Sequence, residues 1–259
     1  MTRPFRTAAP YYVRYRPAYP AELIARVVDA AGLTEDSRVL DLGCGPGTVA
    51  IPLAAYAGEV VAVDVEPEMI AELRRDAPAN VTVVEGRAEE IDETWGSFRL
   101  ATAGRAFHWF DAELVLDRLA ALTPAVALLA DDMGRSEVRR HVLRLVEQLI
   151  GGPSIERPKF CYAEILAASA FSDVQVLSVA VERTWTADEL IGLILSTSIG
   201  SPERLGDRRP EFEERVRQEL PGEYRERVTV DAVLGRRPVA SQAASASATR
   251  RSASPEGTK

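Results

Sequence analysis

Cysteine is scarce in this chain: Cys44 and Cys161 are the only two in 259 residues, far apart and at no metal-ligand spacing. That excludes a disulfide framework, and reduced thiols are the expectation. Lysine occurs only at Lys159 and Lys259, so nearly all positive charge is arginine, and histidine occurs only at His108 and His141. No apolar run approaches the roughly eighteen residues of a membrane span. The N-terminus also lacks the charged-then-apolar pattern of a secretory signal, so a cytoplasmic protein with no membrane partner is expected. An excess of positive charge is absent too. The formal net charge is −8, which argues against a nucleic-acid partner. Hydrophobic content of 46% and charged content of 27% are ordinary for a globular chain long enough to bury a full core.

What is present is concentrated between Val39 and Gly47, in Val-Leu-Asp-Leu-Gly-Cys-Gly-Pro-Gly. An apolar β-branched run ends in the carboxylate of Asp41, and Gly43, Gly45 and Gly47 follow on alternate positions. A helical pattern covers 48–57, and a second apolar run closes on Asp64. This is a βαβ unit whose first turn is stripped of side chains so that a ligand can lie on its backbone. Asp64 stands where a ribose with both hydroxyls free needs an acceptor. A dinucleotide turn spaces its glycines G-x-G-x-x-G, to bring a pyrophosphate onto a helix N-terminus. Here the third glycine comes one position early. Asp41, read as a negative charge at the mouth, would repel a pyrophosphate and suit an ammonium or sulfonium. A nucleoside with a cationic tail is favoured, and the competing reading is a bare tight turn in some other α/β protein.

These residues resemble the first motif of the class I S-adenosylmethionine-dependent methyltransferases. The resemblance implies that the turn (Asp41, Gly43, Cys44, Gly45, Gly47) holds the amino-acid end of S-adenosyl-L-methionine. It also implies that Asp64 binds the ribose, with Val65 beside it. A Rossmann-like α/β fold follows, a doubly wound sheet of seven strands in the order 3-2-1-4-5-7-6 with one antiparallel strand.

Periodicity along the chain agrees with seven strands, near 38–41, 60–64, 81–85, 100–103, 125–130, 174–181 and 228–234. Helical patterns lie between them, one beginning with the capping box Thr186-x-x-Glu189. The methyltransferase domain is expected over 1–238, with a helical lid in 1–32 and a helical, substrate-side insertion in 184–222. From 239 to 259 the chain is alanine, serine and arginine without periodicity, a composition expected to be disordered.

Two loops carry the second tier of candidates. After the third strand, Glu85-Gly86-Arg87-Ala88-Glu89 is similar to a Gly-Asp-Ala-Glu segment whose acidic residue contacts adenine in related methyltransferases. Arg87 stands in that slot here, which leaves Ala88 and Glu89 as the adenine contacts. After the fourth strand comes Gly104-Arg105-Ala106-Phe107-His108-Trp109-Phe110, which resembles the small-molecule methyltransferases of the trans-aconitate type, the methyltransferase type 11 group. The N-terminal Tyr15-Arg16-Pro17-Ala18-Tyr19-Pro20 resembles the same group. Tyr15, Arg16 and Arg105 are therefore read as cofactor contacts, with Arg16 facing the carboxylate.

His108, whose reference pKa is near neutral, is the candidate general base. Trp109, Phe110, Tyr162, Trp185 and Ser198 are candidate acceptor-pocket walls. The Asp131-Asp132 pair lacks further acidic partners, so no metal is expected. The Asn/Asp-Pro-Pro-aromatic tetrapeptide of nucleic-acid-modifying relatives is missing. The expectation is an enzyme that methylates an oxygen or nitrogen of a small organic acceptor, in secondary metabolism, as a monomer or homodimer. The alternatives are a non-catalytic S-adenosylmethionine-binding regulator and a methyltransferase of protein or RNA.

Overall fold

The computed structural model describes residues 5–131, 136–151 and 161–238. Strands β1 (Arg38–Leu42), β2 (Glu59–Asp64), β3 (Val81–Glu85), β4 (Leu100–Gly104) and β5 (Ala125–Asp131) run parallel. Two long strands complete the sheet, β6 (Asp173–Trp185) and β7 (Tyr224–Arg236), and β7 is antiparallel to both neighbours. The order is β3-β2-β1-β4-β5-β7-β6, the order the resemblance implied. β6 and β7 extend several residues beyond their sequence patterns because they pair with each other past the end of β5.

Helices cover both faces. In chain order they are α1 (Ala9–Tyr15), α2 (Ala21–Ala31), α3 (Ala50–Ala54), α4 (Pro67–Asp76), α5 (Ala112–Leu122), α6 (Glu137–Ile150), α7 (Tyr162–Ala167), α8 (Ala187–Leu195), α9 (Pro202–Leu205) and α10 (Arg209–Glu219). Alternation along the strands divides the core. Val39, Val60 and Ala62 face the layer of α2 and α3, where Leu23, Val27 and Leu53 are buried. Leu40, Leu42, Val61 and Val63 face the opposite layer, against Leu116 and Leu119 of α5 and Leu166 of α7.

That parity decides where Asp41 goes. Sharing a face with Val39, its side chain points inward beneath the turn, at 0% exposure. The expected charge at the mouth of the site is therefore a buried carboxylate below it.

The insertion builds a core of its own. Thr186 and Glu189 form both halves of the capping box, as the sequence pattern predicts. Leu190, Leu193 and Ile194 of α8 pack with Phe212 and Val216 of α10 and with Val142 and Val146 of α6. Each such side chain contributes about 1.5–3 kcal/mol when fully buried. Trp185, expected at the acceptor pocket, belongs to this core instead. It is 5% exposed, its indole N–H donates to Glu226 at 2.6 Å, and the Arg139 guanidinium lies over its ring. Burial opposes charge on Glu226, but Ser136, Trp185 and Arg139 together hold its carboxyl below the usual range.

Candidate active site

The glycine turn joins β1 to α3 at the C-terminal ends of the parallel strands, where ligands of doubly wound sheets bind. Gly43, Gly45 and Gly47 all take positive φ, at 63°, 54° and 89°. Their surroundings differ. A Cβ at Gly43 would collide with Ala106 and press on Phe110, and one at Gly47 would collide with Leu73 and Ile51. A Cβ at Gly45 would meet nothing within 4 Å. Two of the glycines let the turn pack against its neighbours, and the third keeps its exposed side open.

Cys44 is buried, its amide bonded to the Val63 carbonyl at 3.0 Å. Burial, with Asp64 and Asp41 nearby, pushes its thiol well above the ordinary value. A small side chain that stays neutral is what this position holds.

Beneath the turn, Asp41 Oδ1 accepts from Thr102 Oγ1 at 2.7 Å across the β1–β4 register, while Oδ2 has no hydrogen-bond partner among the described residues. Burial raises the Asp41 pKa to about 7, against the opposing pull of Thr102 and the Ala50 amide and with a further push from Asp64. Asp64 ends β2 and is 9% exposed. Its carboxylate accepts from the amides of Gly45 at 2.8 Å and Glu66 at 2.9 Å. Burial raises its pKa, and the amides of Glu66, Gly45 and Val65 restrain that rise. One carboxylate thus ties the second strand end to the open glycine. Val65, next in the chain, leaves an apolar face 49% exposed at the same sheet edge.

After β3, Ala88 is buried at the start of a short 3-10 turn. Glu89, expected at adenine, is engaged elsewhere, accepting from the Asp111 amide at 3.1 Å and pairing with Arg87 at 3.3 Å. The basic residue in the acidic slot, Arg87, thus lies beside Glu89.

After β4, the 3-10 turn Phe107–Trp109 presents an aromatic group. Phe107 is buried, with Phe110 and Tyr162 edge-on to it at 5.8 Å each. Phe110 lies on Gly43. Trp109 is 48% exposed and meets Phe5 edge-on, and His108 is half-buried beside it. His108, Trp109, Phe110 and Tyr162 are thus brought together next to the turn. Ser198 lies half-buried in the connection after α8.

The N-terminal segment crosses over this edge. Ala9 and Tyr12 of α1 pack on Met69 of α4, while the Tyr15 ring sits against Gly192 of α8. Tyr15, expected over the cofactor, is a foot of the roof on the insertion. Arg16 Nε donates to Ser196 Oγ at 2.9 Å, and its guanidinium lies over Tyr12. Arg105, expected at the cofactor, holds the roof as well. Its Nη2 donates to the Pro17 carbonyl at 2.9 Å, its guanidinium lies over Tyr19, and its φ is +55°. A non-glycine residue takes that conformation only where its surroundings enforce it.

Gly192 and Ser196 had no place among the sequence candidates. The available signal was a lone glycine inside an otherwise apolar, well-capped helix, which points to close packing. Asp132 and residues 152–160 lie outside the described residues, as does the tail from 239. Among the described residues no three His, Cys, Asp or Glu gather as metal ligands, and no helix is long and apolar enough to cross a membrane.

A reversed seventh strand in this order, an open glycine turn and acidic ends on β1 and β2 define a Rossmann-like, nucleoside-binding protein. Residues 39–126 match the methyltransferase domain family. An uncharacterized methyltransferase of Mycobacterium tuberculosis is 32% identical over 225 residues, which cover 85% of this chain and 86% of that one. A methyltransferase-like protein of Schizosaccharomyces pombe is 27% identical over 198 residues, covering 75% and 77%. The crystal structure of the YcgJ protein of Bacillus subtilis superposes with a TM-score of 0.54 at 18% identity, covering 85% of this chain and all of that one. Phosphoethanolamine N-methyltransferase 2 of Haemonchus contortus, solved with phosphomonomethylethanolamine and S-adenosylhomocysteine, gives 0.54 at 17% identity, covering 90% and 58%. The chain belongs to the class I S-adenosylmethionine-dependent methyltransferases.

Proposed function

We propose that this methyltransferase acts on an oxygen or nitrogen of a small organic acceptor, beneath a roof formed by α1. The roof is the observation that carries the reading. Residues 5–19 span from Met69 to Gly192 and touch Trp109 on the way, which suits a small enclosed acceptor better than a polymer. The acidic net charge points the same way.

The residues present fit S-adenosylmethionine. The space beside Gly45 has room for a ligand against the backbone, and the buried Asp41 Oδ2 has no hydrogen-bond partner among the described residues, a gap that a cation nearby would fill. Asp64 is assigned to the ribose hydroxyls, Val65 and Ala88 to the adenine faces, and Arg16 to the carboxylate of the amino-acid end. Gly43, Cys44 and Gly47 shape the turn.

The cofactor supplies a methyl group already activated on a sulfonium, so the protein's work is mainly placement. Holding reacting atoms at near-attack distance can supply about 7–11 kcal/mol. Trp109 and Phe110 wall the acceptor, with Tyr162 behind them on Phe107. The roof excludes water, which strengthens every charge interaction beneath it. For a hydroxyl acceptor, His108 takes the departing proton; an amine needs only to arrive deprotonated.

Calorimetric titration with S-adenosylhomocysteine and, separately, NAD tests the cofactor assignment, and heat with NAD alone would sink it. Labelled methyl donor offered to amino sugars, phenols and small carboxylic acids, beside protein and RNA, then tests the acceptor class. Label entering only protein or RNA would refute the small-molecule reading. Tight binding with no transfer to any acceptor would mark a regulator.

A further inference from the structure

We propose that Gly192 of α8 and Ser196, the C-cap one helical turn beyond it, are positioning residues for the cofactor site, acting through Tyr15 and Arg16 of the roof. The inference rests on the methyl-transfer reading above.

Glycine inside a helix is unfavourable relative to alanine, and Gly192 is buried among leucines and isoleucines. What it permits is contact: a methyl group there would collide with the near edge of the Tyr15 ring. That ring is held from its other neighbours too, stacked on Tyr11 at 6.4 Å and covered by the Arg14 guanidinium at 5.0 Å. Ser196 completes the seat. Its hydroxyl donates to the Leu193 carbonyl at 2.5 Å, which leaves its oxygen lone pairs to accept from Arg16 Nε at 2.9 Å. The direction of that hydrogen-bond chain is therefore fixed, from Arg16 through Ser196 to Leu193.

The same segment is pinned to the sheet at its far end. Arg105 holds the Pro17 carbonyl, and the Tyr19 hydroxyl donates to the buried Leu129 carbonyl at 3.1 Å. Pro17 and Pro20 stiffen the stretch between these anchors. Past that pivot, the grip of α1 on the sheet side includes the apolar packing of Ala9 and Tyr12 on Met69 and of Phe5 on Trp109. The insertion provides α1 with a shaped seat and a charged hydrogen bond. The roof over the cofactor's amino-acid end is therefore carried by the insertion, and loosening the seat frees the cofactor without altering a residue that touches it.

The test is stopped-flow release of S-adenosylhomocysteine from the full chain. Ser196→Ala should speed release about tenfold, the factor expected from losing one part-buried, charge-assisted hydrogen bond, and Gly192→Ala should speed it by driving a methyl group into the Tyr15 ring. Association should change little, since such losses fall on dissociation. KM for the methyl donor should rise while kcat does not fall. Gly192→Ala combined with Tyr15→Ala should release no faster than the faster single variant, because both break one contact. Unchanged release in Ser196→Ala, or effects that multiply in the double variant, would overturn the proposal. If Gly192→Ala fails to fold, Ser196→Ala still decides. Wild-type protein that does not bind S-adenosylhomocysteine at all would instead overturn the methyl-transfer reading.

Discussion

Cofactor affinity is expected to depend on pH through Asp41. Its carboxyl is fully buried beneath the glycine turn, and burial sets its pKa at about 7. In the ligand-free protein it is half ionised near neutrality. A cationic group nearby favours the ionised form and lowers that pKa. If binding brings it well below 6, affinity rises about tenfold between pH 6 and pH 8, equivalent to about 1.4 kcal/mol. The ligand-free protein moves the opposite way. The folded pKa lies above the unfolded value of 3.8. This group's contribution to stability is therefore complete below pH 3.8 and is lost as pH rises through about 7. The loss between pH 6 and pH 8 is again about 1.4 kcal/mol. Calorimetry with S-adenosylhomocysteine, whose ammonium stays charged over this range, measures the affinity. Repeating it at pH 7 in buffers of different ionisation enthalpy should show about half a proton released on binding. Asp41→Asn should flatten the profile. A wild-type dissociation constant that does not change from pH 6 to 8, or an equal slope in Asp41→Asn, would refute the reasoning.

If Asp64 accepts two ribose hydroxyls as proposed, Asp64→Ala removes two hydrogen bonds to a charged acceptor, each typically about 1.5–3 kcal/mol, so affinity for S-adenosylhomocysteine should fall at least a hundredfold with the circular dichroism spectrum retained. Gly45→Ala and Gly47→Ala separate the two uses of glycine in the turn. The first should lose affinity with a stability cost of about 1 kcal/mol for its left-handed backbone. The second should lose several degrees of melting temperature to its clash with Leu73, about 1–3 kcal/mol by overpacking. Tyr19→Phe deletes a buried hydrogen bond to Leu129 and should cost about 1 kcal/mol in urea unfolding. His108→Ala should lower kcat for a hydroxyl acceptor about 10²–10⁴-fold at saturation; an unaltered rate would make His108 structural.

The fold was legible because its signals are local. The apolar run into Asp41, the glycines and the run into Asp64 each report the conformation of a few adjacent residues, and the capping box at Thr186 does the same. The sheet order came through the resemblance, since periodicity says which residues form strands and nothing of their neighbours. What escaped was pairing between distant residues. Arg105, Tyr15 and Glu89 are at the right edge of the sheet, yet the side chains turn to Pro17, Gly192 and the Asp111 amide, up to 177 positions away by the difference 192 − 15. Each is a long or amphipathic side chain with several partners in reach, so its final contact depends on the tertiary arrangement. Trp185 failed for a related reason: an aromatic residue at a strand end reads the same whether it lines a pocket or anchors a helical layer.

Asp41 shows how one residue's parity changes the physical basis of ligand choice and leaves the choice intact. As a charge at the mouth, it would select a cation by attraction at a distance. Beneath the turn it selects by need: Oδ2 has no hydrogen-bond partner among the described residues, and the Asp64 carboxylate raises its pKa further. Asp64 is itself pushed up by burial. Both carboxyls are held toward protonation by a surrounding of low polarity, and a positive group placed between them lowers the cost of ionising each. A pyrophosphate would raise both costs. On the proposed reading, the preference for a nucleoside with a cationic tail rests on two buried acids one strand apart, with the open side of Gly45 as the place for that tail.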